Sequence, residues 1–237
     1  PARVGLCATM GYSEIPIIKP LKIAIISTGN ELITPGEKLQ YGEIYESNSF
    51  GLSGLIKQLG HTPIKMNSVT DSLEELRNSL NIASESCDLI LTSGGVSMGD
   101  WDLVRKIMVE EGDLHFWRVK IRPGSPPLFG KWNGTPIFGL PGNPVSSHVV
   151  FRMLVQPWIL NLTKTDWPKT IKLQATLVHS VKSTEDCLTF RRVQLTSTKQ
   201  GLLAHQTTHQ GSGNIESLAS ADALTMLKPG EPGRIGD

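Results

Sequence analysis

Cysteines and aromatic residues are scarce in this sequence. Only three of the 237 residues are cysteines, and Cys7, Cys87 and Cys187 lie too far apart for a disulfide framework or a metal-ligand spacing. Aromatic residues make up 6% of the chain and charged residues 19%, beside 23 glycines and 15 prolines. This composition excludes collagen, coiled-coil and disordered proteins and is typical of a globular one. The scattered cysteines favour a reducing cytoplasm.

An excess of charge of one sign is also missing. Lysine and arginine total 23 against 22 acids, so the formal charge of +1 gives no overall field for binding nucleic acid or anionic lipid. The longest apolar stretch, residues 149–160, is broken by Arg152, Gln156 and Pro157 and is too short to span a membrane. The first twenty residues lack the basic start and apolar middle of a secretory signal. We expect a soluble cytoplasmic protein with no nucleic-acid or membrane partner, in which any anion site is local.

The sequence does contain an alternation of strand-like and helix-like segments. In chain order these are a strand at 23–26, a helix at 48–59, a strand at 64–69, a helix at 72–83, a strand at 89–91 and a helix at 101–110. Asn48 is a candidate N-cap, and Ser72 with Glu75 fits a capping box. Parallel strands joined by crossover helices bind ligands at their carboxyl ends. The loops after Ile26 and Leu91 are therefore predicted to carry the function.

The pattern changes toward the C-terminus. Residues 127–131 and 136–140 predict a hairpin, and Asn143 begins a helix that reaches about residue 160. Beyond residue 165, strand-like runs follow one another with no strong helix between them. The chain is therefore predicted to consist of an extended connector at 1–20, an α/β domain at 21–164 and a small all-β domain at 165–237.

A glycine-rich loop follows the third predicted strand, at residues 92–100. Gly94, Gly95 and Gly99 let the backbone pass close to a ligand, and the helix that follows offers free N–H groups to a phosphate. The loop has neither the Rossmann nor the P-loop pattern. Phosphate-type binding and a simple tight turn are both open as interpretations.

Four acids follow strands or begin helices in the predicted α/β domain: Glu31, Asp71, Asp100 and Asp102. In a parallel sheet these positions converge on one edge, where two or three carboxylates beside an anion favour Mg²⁺. Each aspartate taken alone is also explained by helix capping or by the helix dipole.

Two other segments also allow a structural or a functional interpretation. Residues 140–147 form a turn stiffened by two prolines, which is either a rigid pocket wall or only a turn. Arg118, Lys120 and Arg122 alternate along a strand-like run, so they share one face, either as a solvated surface or as an oxyanion site.

Five motifs occur in a fixed order along the chain. They are Ser-Thr-Gly-Asn-Glu-Leu at 27–32, Thr-Ser-Gly-Gly-Val-Ser-Met-Gly-Asp at 92–100, Arg-Pro-Gly at 122–124, Phe-Gly-Leu-Pro-Gly-Asn-Pro-Val-Ser at 138–146, and Gln-Gly-Ser-Gly at 210–213 followed by Ala-Ser-Ala-Asp at 219–222. Together they resemble the molybdopterin molybdotransferases, the MoeA-type family that includes the gephyrin E domain. The resemblance runs from about residue 20 to residue 227.

The resemblance implies a fold and an activity. The fold is a three-layer α/β domain with a mainly parallel sheet, like that of the MogA-type adenylylating proteins, followed by a small C-terminal all-β domain. The activity is the Mg²⁺-dependent insertion of molybdate into adenylylated molybdopterin, with release of AMP. The implied partners are those two substrates, a second copy in a full-length homodimer, the adenylylating enzyme and molybdoenzyme-specific chaperones.

The resemblance also implies a set of site residues. The catalytic and metal-binding acids are Glu31, Asp71 and Asp102. The contacts to the pterin and adenylate are Thr28, Gly29, Ser93, Gly94, Gly95, Ser97, Asp100, Pro141, Gly142, Asn143 and Pro144. The molybdate contacts are Arg118, Arg122, Ser125, Pro126, Arg192 and Ser212. Arg192 is preferred to Arg191 by local register only.

Two departures from the family pattern leave alternatives open. The family's two further N-terminal domains are missing and the chain begins at Pro1, so we expect a fragment or a truncated form. Ser125 stands where the family carries a lysine, which weakens the expected oxyanion site. The alternatives are an activity like that of the adenylylating enzyme and a non-catalytic docking module.

Overall fold

The computed structural model describes residues 1–96, 102–165, 170–207 and 209–237. Its strands are β1 (Lys22–Ser27), β2 (Leu32–Ile33), β3 (Ile44–Tyr45), β4 (Thr62–Lys65), β5 (Leu89–Ser93), β6 (Asp113–Trp117), β7 (Ile121–Arg122), β8 (Leu128–Trp132), β9 (Thr135–Leu140), β10 (Thr176–Leu177), β11 (Leu188–Thr198), β12 (Gly201–Gln206) and β13 (Ala223–Leu227). Its helices are α1 (Ala2–Thr9), α2 (Asn48–Gln58), α3 (Leu73–Ser86), α4 (Leu103–Glu110), α5 (Pro144–Val150), α6 (Gln156–Leu162) and α7 (Ile215–Ala219).

A six-stranded sheet organises the first two thirds of the chain, in the order β4-β1-β5-β9-β8-β6. The first four strands in that order are parallel, and β8 and β6 add an antiparallel edge. Side chains alternate across β1, so Ile23 and Ile25 pack with α2 and α5 while Ala24 and Ile26 pack with α3 and α4. The predicted three-layer α/β fold with a mainly parallel sheet is therefore confirmed.

Several predicted elements have different bounds in the structure. Residues 1–20 contain the helix α1, none of whose residues is buried, so the connector is not extended throughout. The second predicted strand corresponds to β4, which occupies Thr62–Lys65 instead of 64–69. The helix after Asn143 is interrupted by a π-helical turn at Phe151–Val155. Pro157 lies just beyond that turn and has no N–H to donate to the preceding turn, which accounts for the break.

The C-terminal region is built around the strands β10-β12-β11-β13 and also contains the short helix α7. Its first strand, β10, contains only the two residues Thr176–Leu177. The first region contributes the strand β7 to this sheet, where Ile121 pairs with Leu188 and Arg122 with Thr189. The two regions therefore share backbone hydrogen bonds.

Within the part of the chain that the structure describes, no helix is both long enough and apolar enough to cross a membrane.

Candidate active site

A cavity of about 970 Å³ lies at the carboxyl ends of β1, β5 and β9, and residues of the C-terminal region form part of its wall. We call it the strand-end cavity. Its position follows from the parallel arrangement, because the loops that leave these three strands all meet at one edge of the sheet. Its C-terminal contributors include Arg191, Gln210 and Ser212.

Most of the predicted site residues line this cavity. They are Thr28, Gly29, Glu31, Asp71, Ser93, Gly94, Gly95, Arg122, Ser125, Pro126, Pro141, Gly142, Asn143, Pro144 and Ser212. Asp102, Arg118 and Arg192 are not among its lining residues. Ser97 and Asp100 lie outside the described residues.

The first glycines of the predicted anion loop are packed against the end of β1. Gly94 has φ +99° and Gly95 has φ +63°, a backbone region that glycine adopts without strain. A Cβ added to Gly94 would lie 2.5 Å from the carbonyl oxygen of Thr28. The hydroxyl of Thr28 is buried beside both glycines and has no hydrogen-bond partner among the described residues. The close packing explains the two glycines and leaves a polar group unsatisfied at the loop.

Of the three predicted acids, Glu31 and Asp71 lie at the cavity and are exposed. Asp102 is instead the N-cap of α4, where its Oδ1 accepts a hydrogen bond from the backbone N–H of Arg105 at 3.1 Å. Burial raises the pKa of Asp102 to about 6, against the opposing effects of that hydrogen bond and of the Arg105 charge. No group of three or more potential metal ligands occurs within the described ranges. The structure therefore gathers two of the three acids.

The predicted cations separate into two groups. Arg122 is fixed at the cavity by the pairing of β7 with β11, and Arg191 lines the same cavity. Arg118 has φ 76° and stacks its guanidinium 4.5 Å from the ring centre of Trp117. β6 ends at Trp117, so the predicted single strand face for Arg118, Lys120 and Arg122 is wrong. Arg118 lies between β6 and β7, and its side chain stacks on Trp117 instead of lining the cavity.

Arg192 is wholly buried beneath the cavity's C-terminal wall. Its Nε donates to the Ser217 hydroxyl, and its Nη2 donates to the carbonyl oxygens of His209 and Gly211, each at 3.0 Å. Its Nη1 has no partner, and no carboxylate pairs with it, in the described part of the chain. Burial and then the charge of Arg191 lower the pKa of Arg192. An uncompensated buried cation is costly, so this position favours an anion.

The proline turn after β9 joins the two regions at the cavity. Asn143 stands at the N-cap position of α5 but makes no side-chain cap hydrogen bond. The hydroxyl of Ser147 donates to the carbonyl oxygen of Pro141 and braces the turn. The backbone N–H of Val145 donates to the carbonyl oxygen of Ser212 at 3.1 Å. The turn is therefore held from both sides as a fixed wall.

Sequence reasoning missed the contribution of the residues that begin α2. Asn48 was predicted to be an N-cap, but the cap position is Ser47, which makes no side-chain cap bond. Glu46 accepts the backbone N–H of Ser49 at 2.8 Å instead. The Nδ2 of Asn48 donates across the cavity floor to Ser93 Oγ and to the carbonyl oxygen of Gly142, both at 2.7 Å. In the sequence, this role is indicated only by a glutamate shortly before a predicted helix and an asparagine at its first residue.

The fold and the cavity define a ligand-binding α/β domain whose site is completed by a β-rich region. A family model described as a probable molybdopterin binding domain matches residues 24–161, and one described as the MoeA C-terminal region (domain IV) matches residues 174–234. The chain belongs to the family of molybdopterin-binding domains, and its MoeA-type resemblance is confirmed.

Individual relatives support the same assignment. A molybdopterin molybdenumtransferase of Haemophilus influenzae is 33% identical over 230 residues, which cover 96% of this chain and 57% of that protein. One of Bacillus subtilis is 32% identical over 238 residues, covering 98% and 54%. The crystal structure of a MoeA protein of molybdopterin biosynthesis from Pyrococcus horikosii matches with a TM-score of 0.86 and 32% identity, covering 100% and 57%. The chain thus spans about half the length of the relatives that it matches.

Proposed function

We propose that this chain carries the substrate site of a molybdopterin molybdotransferase, an enzyme of molybdenum cofactor biosynthesis. In the proposed reaction, molybdate is inserted into adenylylated molybdopterin and AMP is released. One observation carries the proposal: a glycine loop, a rigid proline turn, three acids (two of them exposed) and two arginines all line a single cavity. Such a cavity matches two substrates together: one that has a phosphate and a fused ring system, and a second that is an anion.

The adenylate is assigned to the strand ends. Gly94 and Gly95 allow the close approach of a phosphate, and the buried hydroxyls of Thr28 and Ser93 supply polar groups beside them. The fixed turn that contains Pro141 provides a stiff wall for a flat ring system.

Magnesium is assigned to Glu31 and Asp71. Mg²⁺ is usually held by one or two carboxylates together with substrate phosphates and water, so these two exposed carboxylates at one cavity fit it. When bound, the ion neutralises phosphate charge and so lowers the barrier to phosphoanhydride cleavage. The proposal gives Asp102 the role of capping α4.

Molybdate is assigned to the arginines of the cavity wall. Arg122 and Arg191 come from different regions and line the same space, whereas Arg192 is buried outside the lining with an unused Nη1 donor. Guanidinium groups bind tetrahedral oxyanions through charge-assisted hydrogen bonds. Ser125 takes the place of the family's lysine here and is expected to weaken this site.

Release of AMP tests the proposal. Because the chain spans about half of its relatives, we specify a protein that carries all the family domains, incubated with adenylylated molybdopterin, Mg²⁺ and molybdate. We expect molybdate-stimulated release of AMP, with much lower turnover by the 237-residue chain alone. If the all-domain protein binds the pterin-adenylate but releases no AMP, the docking-module alternative replaces this proposal.

The remaining parts of the proposal concern location and assembly. The described cysteines are free, which fits a reducing cytoplasm. A homodimer of the all-domain protein and contacts with the adenylylating enzyme and molybdoenzyme chaperones are carried over from the resemblance. Light scattering of the all-domain protein tests the dimer directly.

A further inference from the structure

A four-residue segment links the carboxyl ends of three neighbouring parallel strands. Its residues are Glu46, Ser47, Asn48 and Ser49, which lead into the first turn of α2. Glu46 is buried and accepts the hydroxyl of Ser27, the last residue of β1, at 3.0 Å. Asn48 reaches the last residue of β5 and the turn after β9. The segment therefore fixes the floor of the strand-end cavity.

The donors and acceptors around Asn48 define the state of Ser93. The carbonyl oxygen of Gly142 can only accept, so the nitrogen of the Asn48 amide must face it. The same nitrogen donates to Ser93 Oγ at 2.7 Å, which makes that hydroxyl an acceptor in this contact. A serine hydroxyl also has one proton to donate, and no acceptor for it occurs in the described parts of the chain. Ser93 lines the cavity, so its proton is available to a ligand.

We propose that Asn48 is a positioning residue that holds the Ser93 hydroxyl as a hydrogen-bond donor to a phosphate oxygen of the bound adenylate. The inference rests on the proposed function, because it takes the adenylate site at the strand ends as given. Asn48 lines the cavity as well, but in this proposal it acts through Ser93 and not by its own contact with the phosphate. The carbonyl oxygen of Gly142 fixes the orientation of the Asn48 amide, which keeps its nitrogen directed at Ser93.

Binding of AMP and adenosine to the 237-residue chain tests this inference by titration calorimetry. We expect Ser93→Ala to weaken AMP binding by about tenfold or more, since it removes a hydrogen bond to a charged group. Asn48→Ala should weaken it by a similar factor, and the double variant should be no weaker than Ser93→Ala. Adenosine lacks the phosphate, so its affinity should stay the same in all three variants.

Control variants distinguish the loss of Ser93 positioning from a general loss of folding. Asn81→Ala removes an asparagine that accepts from Trp132 and Asn133 at 2.8 and 3.0 Å outside the cavity lining, and it should leave AMP affinity unchanged. If Asn48→Ala does not fold, Asn48→Leu replaces it, because it keeps a similar side-chain volume and loses the donor without adding a negative charge near the phosphate. Thermal unfolding monitors the fold of each variant.

Four results would overturn the inference. Equal losses of AMP and adenosine affinity would make Asn48 only a structural residue, and additive losses in the double variant would exclude action through Ser93. Unchanged AMP affinity in folded Asn48 variants would remove the role altogether while leaving the proposed function intact. If the wild-type chain does not prefer AMP to adenosine, the adenylate site itself fails, and the proposed function fails with it.

Discussion

At the residue scale, the site depends on places where the backbone leaves no room for a side chain. Gly94 combines a positive φ of +99° with a backbone contact, because an added Cβ would lie 2.5 Å from the carbonyl oxygen of Thr28. Gly134, in the hairpin turn between β8 and β9, has a φ of +82° but no atom within 4 Å of an added Cβ. Substitutions at these two glycines therefore distinguish the cost of a strained backbone from the cost of a steric clash.

We predict that Gly94→Ala destabilises the protein by about 1 kcal/mol more than Gly134→Ala and sharply weakens AMP binding. Both variants strain the backbone, at about 1–3 kcal/mol each, but only the first must displace the end of β1. Urea unfolding measures the free energy, and calorimetry measures AMP binding. Equal destabilisation by the two variants would mean that the loop moves freely away from Thr28.

The buried carboxyl of Asp102 predicts a dependence of stability on pH. Burial raises the pKa of this carboxyl from its ordinary value of 3.8 to about 6 in the folded protein. The unfolded chain therefore loses this proton first as the pH rises, and the free energy of unfolding falls by up to about 3 kcal/mol in total, mostly between pH 4 and pH 6. The loss levels off near pH 7, where the carboxyl is ionised in the folded protein as well.

Asp102→Asn should remove this dependence and keep a side-chain oxygen that caps α4. We expect the variant to gain up to about 3 kcal/mol on the wild type between pH 4 and pH 7. Urea unfolding at pH 4, 5, 6 and 7 measures it, with Asp186→Asn as a control at an exposed carboxyl. Parallel stability curves for wild type and Asp102→Asn would contradict the prediction.

At the scale of elements, the contact between α2 and α5 depends on a glycine that helix propensity disfavours. A Cβ on Gly51 would lie 2.6 Å from the Cε1 of His148. His148 is itself held by its Nδ1, 2.9 Å from the carbonyl oxygen of Pro144, and burial lowers its pKa. Gly54, one turn further along α2, has open space around the same position.

We predict opposite effects for the same substitution at these two positions. Gly54→Ala should stabilise the protein by up to about 1 kcal/mol through helix propensity. Gly51→Ala should destabilise it by about 1–3 kcal/mol, because it forces His148 away from its place. Thermal and urea unfolding compare them. In a His148→Ala background the penalty at Gly51 should vanish, and a penalty that persists there would exclude the histidine contact as its cause.

The elements also mark the limit of what the sequence predicts. The capping box of α3 is local, and the structure has the predicted bond from Glu75 N to Ser72 Oγ. The convergence of Glu31 with Asp71 was predictable as well, because it follows from parallel strands. The contacts of Asn48 span 45 and 94 residues of sequence, and no local pattern encodes them.

The directions of two adjacent arginines on β11 are a second feature that the sequence does not predict. Arg191 and Arg192 point to opposite faces of β11, so one lines the cavity and the other is buried. Which arginine faces which side depends on how β11 pairs with β13 and β7, and the sequence does not specify that pairing. The preference for Arg192 as a molybdate contact therefore stays a prediction, and Arg191 is the arginine of this pair that lines the cavity.

At the scale of the whole molecule, the cavity exists because two regions meet. The β7–β11 pairing and the bond from Val145 N to Ser212 O join them around the site. Arg122 comes from the first region and Arg191 from the second. In the proposed function the oxyanion site is therefore shared between the two regions, and its affinity should depend on the total charge that both regions present to the cavity.

The residue at position 125 tests that dependence. Ser125 lines the cavity beside Arg122, and its hydroxyl donates only to the carbonyl oxygen of Val119, at 3.2 Å. We predict that Ser125→Lys tightens molybdate binding by several-fold to tenfold in the protein with all family domains, because it adds a charged donor. The gain should shrink as salt rises, since the charge is partly exposed. Gln200→Lys, outside the cavity lining, controls for added charge. Unchanged molybdate affinity in folded Ser125→Lys at low salt would mean that the oxyanion binds elsewhere.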